Sequence, residues 1–318
     1  MPTHRQRHTW SVRLALIVNP AASSVTRRAR VVIEKALASD HQLTVEETAR
    51  KGQAIRLAHG AARSGAEVII ALGGDGTVNE VANGVLGEQC AIAVLPGGST
   101  NVFARAIGFP NDAMEATGLL LEALSAGIST PASVGMANGR AFLFHAGAGF
   151  DAAVVSRVEQ RGHLKRYVGH PLFIASTFAA WFRDVDRRRP WFSVETGDGR
   201  FAPRAHEAVA FNCDPYTYLG SQPLSLAPEA GLDTPLSVVI LDSLSPRLLP
   251  ALMMSLWRSE GASDRGLLRH WAGVERLTVK GYRPFPYQLD GELMDPVTEL
   301  QLSHRPCALR LVTPPPGE

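Results

Sequence analysis

The most chemically suggestive stretch of the chain is an acidic residue set among glycines, Gly73-Gly74-Asp75-Gly76-Thr77-Val78-Asn79-Glu80, which follows the apolar run Val68 to Leu72 and opens a helical pattern. Glycines let a backbone turn tightly and bring its N–H groups close to phosphate oxygens, and the helix that follows offers unpaired donors and a partial positive charge. Thr77 and Glu80 stand three apart, the spacing of a capping box, which predicts a helix over Thr77 to Leu86. Each dipole-type contribution is only about 0.3–1 kcal/mol, so a triphosphate needs several donors converging on it. A second turn of the same kind, Pro96-Gly97-Gly98-Ser99-Thr100-Asn101, follows the apolar run Ala91 to Leu95, and Asn19-Pro20-Ala21-Ala22-Ser23 follows Leu14 to Val18 as a third wall. Such turns on adjacent parallel strands open onto one crevice at the carboxyl ends of the sheet. The spacing is neither the dinucleotide fingerprint GxGxxG nor a Walker A motif.

The elements that must hold these turns alternate. Apolar runs at Leu14–Val18, Leu43–Thr48, Val68–Leu72 and Ala91–Leu95 read as strands, and helical spacing marks Arg27–Leu37, Gln53–Arg63, Thr77–Leu86, Ser99–Ala106 and Asp112–Ser125. That rhythm predicts a doubly wound, mostly parallel sheet covered by helices. After about Thr130 the texture changes to short β-like runs, among them Ala141–His145, Trp191–Glu195, Ala208–Asn212, Ser237–Leu241, Leu277–Lys280 and Leu300–Ser303. Helical patterns interrupt them only near Phe150–Arg157, Pro171–Arg183 and Pro246–Trp257, so the second half reads as a mainly antiparallel β domain.

A length of 318 residues with 45% hydrophobic side chains accommodates two such domains and excludes a fibrous or disordered chain. Cys90, Cys213 and Cys307 are scattered, which leaves no disulfide framework and no CxxC metal pair and fits a reducing cytoplasm. Residues 1–12 read as a flexible tail without a signal-peptide core, and the longest apolar stretch, Pro171 to Phe182, is short of the ~20 residues that span a bilayer. A net charge of +2 without a zinc-finger, bZIP or RRM signature argues against nucleic acid as a partner.

Leu72 to Glu80 together with Leu95-Pro96-Gly97-Gly98-Ser99-Thr100-Asn101-Val102-Phe103-Ala104-Arg105 resembles the two glycine loops of the diacylglycerol kinase catalytic family, which includes bacterial lipid kinases, sphingosine kinases and ceramide kinases and is distantly related to NAD kinases and phosphofructokinases. Asn138-Gly139-Arg140 with Gly147-Ala148-Gly149-Phe150-Asp151-Ala152, and Tyr287-Gln288-Leu289-Asp290-Gly291-Glu292, extend the likeness over Leu14 to Val312. The resemblance implies an ATP-binding domain over 13–132, a β-sandwich lipid-substrate domain over 133–306, a last strand at 307–312 returning to the first, and a cleft between them where ATP meets lipid. It implies nucleotide contacts from Asn19, Pro20, Thr48, Gly73, Gly74, Asp75, Gly76, Thr77, Asn79, Glu80, Gly98, Ser99 and Asn101. It further implies transfer of the γ-phosphate of ATP to a hydroxyl of diacylglycerol or a related lipid, with Asp290 as general base and Glu292 beside it. Asp75 is the rival base, as sphingosine-type members are read. A positioned carboxylate can take the proton of a poorly nucleophilic alcohol as phosphoryl transfer proceeds. Mg²⁺, which prefers carboxylate oxygens and retained waters, would be oriented by Asp75 and Glu292.

The chain departs from bacterial members where they carry acids of a structural Mg²⁺ network, having Val102 after Asn101, Ser133, and Glu229-Ala230-Gly231. This joint loss predicts a single kind of Mg²⁺ role, with the nucleotide. Between Arg157 and Arg189, eight basic residues (Arg157, Arg161, Lys165, Arg166, Arg183, Arg187, Arg188, Arg189) stand against three acidic ones and flank the apolar Pro171 to Phe182. That layout suits peripheral contact with the inner face of a membrane. Related bacterial enzymes are often dimers, so the resemblance also implies a homodimer. His145, His163 and His170 lack metal-ligand spacing, and Trp181, Trp257 and Trp271 read as packing residues.

Overall fold

The computed structural model describes residues 11–150, 152, 153, 155, 189–245 and 268–315. The chain divides into two compact units, one drawn from Met1–Pro131 with Leu309–Glu318, the other from Ala132–Ala308.

In the first unit, β1 (Arg13–Val18), β2 (Gln42–Glu47), β3 (Val68–Gly73) and β4 (Ala91–Pro96) form a parallel sheet in the order β2-β1-β3-β4. Leu311, near the end of the chain, adds to its edge in parallel with Ile92. β3 and β4 are buried along their whole length, the signature of strands covered on both faces. The covering helices are α1 (Arg27–Asp40), α2 (Gln53–Arg63), α3 (Asp75–Val85), α4 (Val102–Ala106) and α5 (Ala113–Ser125). Thr26 caps α1 and Asp112 caps α5 with their side chains, as such residues do where helical N–H groups lack partners. α2 and α3 cross so closely at Gly84 that a Cβ there would lie 2.4 Å from the Ile55 carbonyl oxygen.

Two expected helix starts move. α3 begins at Asp75 rather than Thr77, because Gly74 accepts from the N–H groups of Thr77 and Val78 and so occupies the cap position. α4 begins at Val102 rather than Ser99, because Asn101 sits in the left-handed region at φ 49°, which ends the preceding loop.

The second unit is a β-sandwich. One layer runs β14 (Leu268–Val274), β13 (Leu236–Leu241), β10 (Glu207–Phe211), β7 (His145–Gly149) and then the long β15 (Arg276–Leu289) paired with β16 (Glu292–Leu311). The register of β15 shifts between Lys280 and Phe285. On the N-terminal side of the shift, β15 pairs through Leu277–Gly281 with β8 (Phe192–Thr196), which pairs in turn with β9 (Phe201–Ala205). β5 (Thr130–Ala137) and β6 (Arg140–Phe142) complete that layer beside β16. Alternate residues fill the space between, including Ala208 and Ala210 of β10, Val238 and Ile240 of β13, Phe192 and Val194 of β8, and Phe285 and Tyr287 of β15. A two-stranded hairpin, β11 (Thr217–Leu219) with β12 (Gln222–Leu224), lies apart.

Ala141–His145, expected as one strand, is two, broken at Leu143 and Phe144. Beyond Phe150, Ala152, Ala153 and Val155, which are helical, the three expected helices and the basic segment up to Arg188 lie outside the described residues, as do His163, His170, Trp181 and Trp257.

Candidate functional site

Three strand-to-helix turns of the first unit meet at the carboxyl ends of β1, β3 and β4. Gly97 N–H donates to the Gly73 carbonyl at 2.8 Å, and a Cβ on Gly97 would lie 2.8 Å from the Gly73 Cα; a Cβ on Gly98 would lie 2.9 Å from the Gly74 Cα. The two glycine loops thus pack backbone against backbone, a contact no side chain permits. The β1 turn joins them through Asn19, whose amide donates to the Thr77 hydroxyl at 3.0 Å and whose carbonyl oxygen accepts from Ala21 N–H. Ser24 closes the ring with its N–H on Gly97 and its hydroxyl on Gly98. Thr48 anchors the end of β2 to the Val18 carbonyl by its N–H at 2.9 Å.

Several of the expected nucleotide residues hold this cradle together. Asp75 accepts from the N–H groups of Val102 and Phe103, each at 3.0 Å, and so caps α4 from the other loop. Burial pushes its carboxyl up from the usual range while those two bonds favour the ionised form; the side chain is half-buried, so water tempers the desolvation. Asn101 accepts from Gly98 N–H at 2.8 Å and donates to the Gly98 carbonyl and to Asn111. Asn79 is buried and accepts from the Asn83 amide. Glu80 is 8% exposed and does not complete a capping box on its own helix. Its oxygens accept instead from Gly52 N–H at 2.7 Å and Ala54 N–H at 3.0 Å, the start of α2, where Gly52 has no side chain to cap with. Replacing Glu80 with alanine strands two N–H donors. We expect a loss of about 2–6 kcal/mol, at about 1–3 kcal/mol per orphaned buried group, readable as a lower urea midpoint with an unchanged slope.

Pro20, Gly76 and Ser99 are the exposed members of the set. Gly76 stands out physically. It lies in the first turn of α3 with an ordinary negative φ, and a Cβ there would meet nothing within 4 Å. Glycine costs a helix about 1 kcal/mol relative to alanine, and neither packing nor conformation within the protein requires it here. Ser24 and Asn111, which the sequence did not mark, belong to the cradle; a serine and an asparagine in loops carry no spacing signal.

In the second unit Asp290 and Gly291 form the two-residue turn between β15 and β16, with φ of 50° and 77°. Asp290 is 6% exposed, and its carboxylate accepts from Leu143 N–H at 2.8 Å, Phe144 N–H at 2.9 Å and His145 N–H at 3.2 Å. These bonds break the expected strand and fix the carboxylate's orientation. Asn212 holds the same segment from its carbonyl side, donating to Leu143 at 2.8 Å. Glu292 pairs with Arg140 at 2.9 Å. His145 is buried against the rings of Phe144, Phe211 and Tyr216, and Trp271 packs against the sandwich core with Arg200 over its ring.

Asp75 offers oxygen donors of the kind Mg²⁺ takes, each already accepting one main-chain bond, whereas Glu292 shares an oxygen with a guanidinium. Among the described residues no three His, Cys, Asp or Glu side chains come together as a metal cluster. At the departures noted above, Glu229 accepts from the Ser237 hydroxyl and lies 2.7 Å from His270; burial pushes its carboxyl up, but those partners hold it below the usual range. Ser133 is buried and donates its N–H to Leu232. No helix among the described residues is long and apolar enough to cross a membrane.

Residues 13–137 match the model of the diacylglycerol kinase catalytic domain. A diacylglycerol kinase of Bacillus subtilis (strain 168) is 34% identical over 142 residues, 43% of this chain and 46% of that one. A protein of Chromohalobacter salexigens named as a probable YegS-like lipid kinase is 30% identical over 216 residues, 62% of this chain and 65% of that one. The matched stretches thus span about half to two-thirds of the relatives' own lengths. Over 95% of this chain and 97% of the other, the fold is that of a crystal structure of a diacylglycerol kinase from Bacillus anthracis, with a TM-score of 0.70 at 21% identity. An NAD kinase from Archaeoglobus fulgidus in complex with ATP shares it more distantly, with a TM-score of 0.52 at 11% identity, 95% of this chain and 94% of that one. Residues 13–137 thus resemble a diacylglycerol kinase catalytic domain in sequence, and the chain shares the fold of a diacylglycerol kinase structure.

Proposed function

We propose that the chain is a lipid kinase that transfers the γ-phosphoryl group of ATP to the hydroxyl of diacylglycerol or a related lipid alcohol, giving phosphatidic acid or its analogue. The observation that carries this reading is Gly76, a glycine exposed at the N-terminus of α3, with open space where a side chain would project and a second glycine loop packed against Gly73 and Gly74 of the same turn. A helix start of this kind receives phosphate oxygens on its main-chain N–H groups, and only a residue without Cβ lets them approach. Asn19, Pro20, Thr48, Gly73, Gly74, Thr77, Gly98 and Ser99 supply the rest of the cradle. Asp75, Asn79, Glu80 and Asn101 keep its loops in register.

Asp290 is assigned as the base for the acceptor hydroxyl, and Asp75 is the competing assignment. Mg²⁺ would enter with the nucleotide, with Asp75 able to hold it through water, and would offset the charge of the triphosphate. The protein would act at the inner membrane face, where its acceptor resides.

The relatives are named for diacylglycerol in one case and for lipid kinase activity more broadly in the other, so the acceptor is the point to measure. Mixed micelles of diacylglycerol, ceramide, sphingosine and a polyisoprenol, incubated with labelled ATP and separated by thin-layer chromatography, should give one dominant labelled lipid, phosphatidic acid. Binding of ATP without label in any lipid would instead identify a nucleotide-binding regulator.

A further inference from the structure

In the second unit, β8 lies between β9 and β15, and alternation sends Leu277 and Val279 into the core while Thr278, Lys280 and Tyr282 point outward. Phe201 of β9 pairs with Glu195 of β8, another outward position. Five large apolar side chains are strongly exposed among the described residues, and the only aromatic ones, Phe201 at 53% and Tyr282 at 59%, flank the same strand. The Tyr282 hydroxyl donates to the Pro203 carbonyl of β9, which leans its ring across β8. Arg204, Arg276 and Lys280 stand exposed around the rings, and Arg189 is exposed just before β8 begins. Acidic residues around it are Glu195, 3.9 Å from Lys280, Glu299, opposite Lys280 on β16, Asp198 in the β8–β9 turn, paired with Arg200, and Glu275 beside Arg276.

We propose that this outer face of β9, β8 and β15 docks on an anionic phospholipid bilayer, with the Phe201 and Tyr282 rings at headgroup depth and Arg204, Arg276 and Lys280 against lipid phosphates. The inference deepens the lipid-kinase reading and rests on it for the need to reach a membrane. Aromatic rings with an apolar body concentrate at membrane interfaces, and each basic residue near an anionic leaflet adds about 1 kcal/mol. A second copy of the chain fits the face less well. Two rings and a proline fall short of the ~800 Å² per partner that a stable interface buries. Among the described residues β9 pairs only with β8, and Pro203, which has no N–H to donate, makes it a poor template for strand addition.

The test is sedimentation with phosphatidylcholine and phosphatidylglycerol vesicles, in the absence of ATP, so that its outcome does not depend on turnover. Phe201→Ser with Tyr282→Ser should lower the bound fraction about tenfold at fixed lipid, leave the melting temperature and the activity on a water-dispersed short-chain diacylglycerol unchanged, and leave the association state of the free protein unchanged. Equal binding by the double variant overturns the proposal, as does a change in association state with vesicle binding intact. Phe201→Trp provides a readout independent of any loss of fold: brominated lipids must quench more fluorescence in this variant than in the parent, and equal quenching overturns docking at this face. Vesicle binding that is lost in the double variant while no lipid is ever phosphorylated by the parent supports the surface and refutes the kinase reading, so the two fail separately.

Discussion

Asp290→Asn is expected to lower turnover by about 10²- to 10⁴-fold, the contribution of a positioned general base, while ATP binding to the first unit stays near the parent value. Asparagine is the informative replacement because it tolerates the left-handed backbone at φ 50°, so no new strain enters the turn. It does alter the hydrogen bonds. The carboxylate receives three main-chain N–H groups on its two oxygens, Leu143 on one and Phe144 with His145 on the other. An amide presents one acceptor oxygen and an NH₂ group, so at least one buried N–H is stranded, at about 1–3 kcal/mol. Lost activity alone would therefore not separate the two roles. The base assignment requires kcat measured below the melting transition of the variant to fall by at least 10²-fold. A fall of less than tenfold, with the melting temperature reduced, would make Asp290 an anchor for the Leu143–His145 segment and move the base role to Asp75.

The long-range hydrogen bonds of Asp290 mark the kind of feature that a sequence does not display. Glycine turns are local grammar: Gly73-Gly74-Asp75-Gly76 and Pro96-Gly97-Gly98 can be recognised from neighbours alone, and the helix Gln53–Arg63 is legible to the residue because its apolar positions recur at helical spacing. The misreadings have partners far away in sequence. Glu80 obeys the spacing of a capping box, but the free N–H groups of Gly52 and Ala54 lie closer to its carboxylate, 28 and 26 residues upstream. The strand break at Leu143 is imposed by a carboxylate 147 residues later. β15 and β16, 14 and 20 residues long, show in the residue pattern only as Leu277–Lys280 and Leu300–Ser303, with the end of β16 implied by the family resemblance as the strand at 307–312. The register shift between Lys280 and Phe285 interrupts their period of two, and Pro296 and Pro306 suppress the strand signal within β16.

Two alanine substitutions in the glycine loops should act in opposite directions on the free protein. Gly97→Ala places a Cβ 2.7 Å from Val25 Cγ2, 2.8 Å from the Gly73 Cα and 2.9 Å from the Gly73 nitrogen. Two of those neighbours are backbone and cannot swing aside. The loops must separate, breaking the 2.8 Å bond from Gly97 N–H to the Gly73 carbonyl, so the variant should lose about 2–4 kcal/mol together with ATP binding. Gly76→Ala meets nothing within 4 Å and replaces a poor helix former in the first turn of α3, so the free protein should gain up to about 1 kcal/mol. ATP affinity should nevertheless fall at least about tenfold, because the new methyl group occupies the space in which phosphate oxygens approach the main chain. Thermal melts with and without ATP separate these effects. A Gly76→Ala protein that melts higher than the parent alone, and no higher again when ATP is added, places the nucleotide on this helix start. One that retains the parent's ATP-induced rise in melting temperature would mean that the triphosphate lies elsewhere, and the glycine loops would then serve only to let β3 and β4 turn side by side.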